Sequence, residues 1–174
     1  RATKRIAGSA HLDVRNHVAA TAATEHLTAI FAAWMFRHPE ALQGAEPRLQ
    51  TLWLWHASEE AEHCSTAFDV YKALGGSEQW RLRLMNYITW TFAMDIVRQT
   101  VRNLWHDGSL FKWSTWTSAY SLLFAKDGMV RGNVAEWRAY KAPSFHPRQQ
   151  DTSLSEQWLR DNQARYSIVG RAAG

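Results

Sequence analysis

The sequence predicts an all-α protein. Only four prolines occur in 174 residues, and Pro39, Pro47, Pro143 and Pro147 all fall where a helix would start or a loop would run. Apolar residues recur at spacings of three and four over long stretches, as on one face of a helix. The strict alternation that marks strands is nearly absent.

A first helix is expected over about 10–37, ended by His38-Pro39-Glu40. A second opens at Pro47, a favoured first-turn residue, and closes at Gly75-Gly76. Ser77 caps a third that runs to about residue 106 and stops at Asp107-Gly108. A fourth covers about 109–126 and stops at Asp127-Gly128. A short helix over 133–141 is followed by an irregular stretch around Pro143 and Pro147. Ser153 and Glu156 have capping-box spacing before a last helix to about residue 166. With 46% hydrophobic residues and no linker or repeat, the whole chain, 1–174, reads as one helical domain.

The net charge of +4 is scattered, with no run of Lys and Arg, which argues against a nucleic-acid partner and leaves peripheral membrane contact open. The single cysteine, Cys64, allows no internal disulfide and fits a reducing cytoplasm. The longest mostly apolar run, 84–94, is too short to span a bilayer.

The second helix carries the chemistry. Leu49, Trp53, His56, Glu60, His63, Ala67 and Val70 follow 4-3-4-3 spacing and form one stripe expected to face the core. A second stripe, Trp55, Glu59, Glu62, Thr66 and Asp69, is expected to be wet. A buried carboxylate and imidazole are costly unless paired or bound to metal. Glu-x-x-His is the unit from which di-iron carboxylate bundles are built, because i and i+3 share one face.

The first helix offers the partner. Val14, Val18, Thr21, Glu25, Ala29, Ala32 and Phe36 form its inward stripe, and Glu25 is the one acid on it. The midpoint between Glu25 and Glu60 falls at 42–43, inside the connection. In antiparallel helices each Glu then lies about 26 Å along the path from the turn, at about 1.5 Å per residue. Glu25, Glu60 and His63 are therefore the expected metal ligands. A hydrogen-bonded core pair, or a rotated helix face, is the bland alternative. His56, one turn from Glu60, is a candidate proton carrier, a ligand or a core histidine. His26 lies off the Glu25 stripe and reads as structural. Asp95 either orients a histidine or pairs with Arg98 or Arg102, and His146 reads as a turn residue. Cys64 points about 100° away from His63, which speaks against a thiolate ligand.

Ala23-Thr24-Glu25-His26-Leu27-Thr28-Ala29-Ile30 and Trp55-His56-Ala57-Ser58-Glu59-Glu60-Ala61-Glu62-His63 resemble two segments of the bacterial "predicted metal-dependent hydrolase" family. Phe68-Asp69-Val70-Tyr71 and the later Tyr140, Pro143, Phe145-His146-Pro147 and Asp151 fit the same pattern. The resemblance implies a ferritin-like helical bundle, here with extra C-terminal helices, and metal-ligand roles for Glu25, Glu60 and His63. It also implies further N-terminal helices bearing the other half of the ligands. A full di-metal set needs two lone Glu and two Glu-x-x-His units, and this sequence has one of each. Two completions are open: preceding helices of a longer chain, or a second copy in a homodimer.

The expected cofactor is two metal ions, iron or iron with manganese, since carboxylate and imidazole suit such metals. Hydrolysis by activated water and oxidation of a small apolar substrate by dioxygen use the same ligands. A non-enzymatic metal-binding or redox protein, and a structural domain with an incomplete site, are the alternatives.

Overall fold

The computed structural model describes Gly8 and residues 12–166. Every regular element among them is helical: α1 Val14–Arg37, α2 Pro47–His63, α3 Thr66–Ala73, α4 Glu78–His106, α5 Trp113–Phe124, α6 Val134–Ala139 and α7 Ser153–Asp161. Short 3₁₀ turns stand at Pro39–Leu42, Arg131–Asn133, Pro147–Gln149 and Gln163–Arg165. The start of the first expected helix at residues 10 and 11 lies outside the described residues.

Helix α1 is the central rod. Its Ala19, Ala22, Ala23, Ala29 and Ala32 are buried together with Leu27, Ile30 and Trp34. Small side chains on several faces let α2, α3 and α4 all pack against it. The core joins Ala22, Ala23, Leu27 and Ile30 of α1 to Ala67 and Phe68 of α3, Met85 of α4, and Tyr140 and Phe145 of the late loop. Full burial of a side chain such as Leu27 or Ile30 contributes about 1.5–3 kcal/mol.

The ends of these helices are chemically explicit. Asp13 accepts the Arg15 N–H at 2.8 Å to start α1. Ser77 accepts the Trp80 N–H at 3.3 Å to start α4, as expected. Gly75 has φ +70, and a Cβ at Gly76 would strike the Tyr71 ring at 2.2 Å, so both glycines are required where α3 ends. The cap of α7 sits one residue before the expected Ser153: Thr152 is the N-cap, and its Oγ1 donates to Glu156 Oε1 at 2.7 Å. Helix α5 starts four residues later than expected. Residues 109–112 are spent closing α4: the Ser109 and Leu110 N–H groups both bond the Leu104 carbonyl.

Two expectations about the second helix need correction. It is not continuous: Cys64 and Ser65 interrupt it and α3 starts afresh at Thr66. Nor does the Leu49-to-Val70 stripe face the core, since Leu49, Trp53, His56, His63 and Val70 are exposed. The buried line is instead Ala57, Ser58 and Cys64, with Leu54 and Ala61 partly covered. The reason is steric: α1 presents alanines, and α2 approaches it through its own small residues, which leaves no room for Leu49 or Trp53.

Two buried polar groups lock the late loop to the core. Arg81 donates to Glu78 Oε2 at 2.6 Å and to the carbonyls of Tyr140 and Ala142, with its guanidinium 4.6 Å from the Tyr140 ring centre. That pairing makes burial of its charge tolerable. His26, fully buried, bonds the Glu136 carbonyl through Nε2 at 3.2 Å and the Gln150 amide through Nδ1 at 3.3 Å. The carbonyl requires an Nε2–H, and the amide then donates to a bare Nδ1, so the neutral tautomer satisfies both. Burial, reinforced by the Arg81 charge, pushes the His26 pKa down to about 4 against the Glu136 bond.

Between pH 6.5 and about 4 the unfolded chain therefore carries a proton on His26 that the folded chain refuses. Stability is expected to be complete above pH 6.5 and to fall by about 3 kcal/mol on acidification through this window. Urea titrations of the wild type and His26→Gln across it check this: the variant's stability should be flatter by that amount, and an unchanged pH slope contradicts the assignment.

Candidate functional site

The candidate ligands lie where α1 meets the α2–α3 junction. Thr28 of α1 donates its hydroxyl to Glu60 Oε2 of α2 at 2.5 Å. Glu25 Oε2 accepts the backbone N–H of Ala67 at 3.3 Å. These two bonds establish antiparallel packing and its register: Glu60 is level with Thr28, and Glu25 is level with the start of α3. The register is offset by three residues, or about 4.5 Å, from a direct Glu25–Glu60 opposition.

The interruption at Cys64 and Ser65 explains what Glu25 does locally. Helix α3 begins with no side-chain cap of its own. Its first-turn N–H groups need acceptors, and Glu25 reaches across from α1 to supply one to Ala67. The carboxylate also places negative charge at the positive end of that helix. Burial raises the Glu25 pKa, and the nearby charge of Glu60 adds to the rise; the Ala67 N–H and the His63 charge oppose it. Glu25, Glu60 and His63 thus share one electrostatic neighbourhood.

Their present partners differ from one another. His56 Nε2 stands 3.5 Å from Glu60 Oε1, one turn apart on α2. His63 is 67% exposed and its Nε2 lies 3.8 Å from Glu59 Oε2, not beside Glu60. Glu60 is only 27% exposed, at the edge of the buried line. Among the described residues, no three His, Cys, Asp or Glu side chains converge closely enough to hold a metal ion. The donors therefore fit a metal in chemistry, as two carboxylates and imidazole nitrogens on facing helices, but not in number or convergence.

The remaining candidates have structural partners. Cys64 is buried, and burial followed by the Glu25 charge pushes its thiol pKa up, which disfavours the thiolate. Asp95 lies 3.4 Å from Arg98. His146 starts the 147–149 turn: its Nδ1 accepts the Arg148 N–H at 3.2 Å and its Nε2 meets Asp69 at 2.8 Å. Thr28 and the Ala67 N–H were not foreseen. Thr28 is identifiable as the residue one turn past Glu25, whereas the Ala67 contact depends on a helix break that the periodicity does not show.

A family model described as a predicted metal-dependent hydrolase matches residues 1–151. No curated protein and no solved structure matches the chain. The match spans most of the sequence and includes both the Glu25 segment and the Glu-x-x-His of α2, so the chain belongs to the family of predicted metal-dependent hydrolases, for which a metal cofactor is implied.

Proposed function

We propose that the protein is a metal-dependent hydrolase whose metal is held by Glu25, Glu60 and His63, with α1 and α2 forming half of a ferritin-like, carboxylate-bridged two-metal bundle. The observation that supports this reading most is that the Thr28–Glu60 and Ala67–Glu25 bonds hold two carboxylates at the same α1–α2 contact, next to the Glu-x-x-His unit. A bound pair of divalent ions, iron or iron with manganese, would supply the Lewis acidity that hydrolysis needs.

The chain's own groups have distinct parts. Glu60 is oriented by the Thr28 hydroxyl, which fixes one carboxylate oxygen and leaves Oε1 toward His56. His56, half exposed beside that oxygen, would carry a proton between the site and solvent. Trp53 stands one turn away with its ring 6.3 Å from His56, an apolar wall suited to a small apolar substrate. The other Glu and Glu-x-x-His come from outside the described residues. A second copy docked through the exposed stripe of Leu49 and Trp53 would supply both, and metal would neutralise the carboxylates that otherwise repel across the two-fold axis.

Glu60→Ala is expected to abolish stoichiometric binding of iron or manganese, while Glu59→Gln and Glu62→Gln leave it intact; metal analysis after gel filtration decides. Glu25→Gln keeps an oxygen for the Ala67 N–H, so it should lose metal while remaining within about 0.5 kcal/mol of wild-type stability. Glu25→Ala should lose metal and about 1 kcal/mol as well. Full occupancy in Glu25→Gln overturns its ligand role. Sedimentation with and without metal tests the two-fold assembly: dimerisation should require metal, and a monomer with full metal content excludes it. Oxygen consumption by the loaded protein with apolar substrates would favour dioxygen chemistry over hydrolysis.

A further inference from the structure

The second half of α4 and all of α5 use none of the residues assigned above. Helix α4 joins the core through Met85, Ile88 and Phe92. From Ala93 to His106 nearly every residue is exposed. The chain turns at 107–112, and α5 runs back to the body. There the Trp34 indole donates to the Asp127 carbonyl at 2.8 Å, and Arg37 donates to Asn133 Oδ1 at 2.9 Å. The far end is braced too: the Trp116 indole donates to the Leu110 carbonyl at 2.8 Å, and the Ser109 hydroxyl meets the Asp107 carboxylate at 2.5 Å. Away from that turn α4 and α5 make almost no contact with each other. Helical stretches of this length are marginal in water without packing, so the hairpin needs cover from outside.

The pattern of apolar residues says what shape of cover it needs. Tyr87, Trp90, Met94, Val97, Val101 and Trp105 follow 3-4-3-4-4 spacing, and all are exposed. At about 100° per residue they fall within about 80° of one another around α4, whereas Gln99, Arg102, Asn103 and His106 lie on the opposite side. A stripe this narrow is the seam of a helix that packs on another helix. Trp113, Trp116, Tyr120 and Phe124 repeat the pattern on α5, and all are exposed. The rings of the two stripes, on average about three-fifths exposed, offer about 600–1,000 Å². With Met94, Val97 and Val101 added, the area exceeds the roughly 300–600 Å² of the largest apolar patch on a typical monomer and reaches the roughly 800 Å² per partner of a stable dimer. A second copy of the hairpin has the matching form. Its two stripes and the two here make four, the number that closes the core of a four-helix bundle, and a two-fold axis brings identical surfaces together.

We propose that the α4–α5 hairpin is a dimerisation surface, on which two copies pair about a two-fold axis to form a four-helix bundle. This contact uses no residue of α2 and needs no metal. The test is sedimentation of the full chain at micromolar concentration in a metal chelator. A discrete dimer is expected. Trp90→Lys with Val97→Lys on α4, and separately Tyr120→Lys on α5, should each weaken it at least tenfold with an unchanged circular dichroism spectrum. Leu49→Lys with Leu52→Lys on α2 should leave it intact. Metal-dependent pairing through α2 is then read in the α4 variant, where it stands alone. A wild-type monomer in chelator overturns the proposal and leaves the hairpin to a different chain segment. Retention of the dimer by the α4 or the α5 variant overturns it, as does its loss in the α2 variant, which would assign self-association to α2. An open-ended aggregate in place of a dimer also overturns it, since a closed two-fold contact adds one copy only.

Discussion

Helix α1 is covered by other elements over most of its surface, and a covered helix tolerates a polar side chain only where a neighbour answers it. Four such residues on α1 are answered by other elements. His26 is met by the Glu136 carbonyl and Gln150, Thr28 by Glu60, Glu25 by the Ala67 N–H, and Trp34 by the Asp127 carbonyl. These bonds fix the register of α2, the start of α3 and the path of the late loop. Alanines between them set how close the neighbours come. Position and chemistry in this fold are therefore tied to one helix.

The same constraint gives Glu25 a structural role beside the proposed site. Its carboxylate substitutes for the cap that α3 lacks, and it lies within charge reach of Glu60 and His63. A carboxylate has two oxygens and several lone pairs, so one oxygen can hold the Ala67 N–H while the other faces a cation. The break at Cys64 and Ser65 directly follows the Glu-x-x-His unit. It ends α2 at His63, whose ring stands exposed beside Glu59.

Much of the architecture was legible in the sequence because it rests on local chemistry. Ser77, the glycines at 75 and 76, and the proline at 47 mark boundaries that depend on their immediate neighbours alone. The facing of α2 was not legible. Periodicity ranks residues by polarity, and Leu49, Trp53 and Val70 outrank Ala57, Ser58 and Ala61 on that scale. Packing on an alanine-rich rod ranks them by size and reverses the order. Equal distance to the connection put Glu25 and Glu60 on facing helices but not opposite each other: Thr28 meets Glu60, and Glu25 meets Ala67 three residues out of the expected register. The offset comes from the helix break and from Thr28, which takes the position opposite Glu60. The structural part of His26 was readable from its place off the Glu25 stripe, whereas its partners Glu136 and Gln150 lie more than a hundred residues away.

The central claim is that Glu25, Glu60 and His63, which do not converge in this structure, would close on a metal bound at the α1–α2 contact. Anomalous diffraction from crystals grown with iron or manganese tests it most directly. The account predicts a peak at the α1–α2 contact with a Glu25 oxygen, a Glu60 oxygen and a His63 ring nitrogen at coordination distance, about 2 Å. A map with no peak there, His63 still beside Glu59 and Glu25 engaged only by the Ala67 N–H would contradict it and leave Glu25 as a helix cap alone.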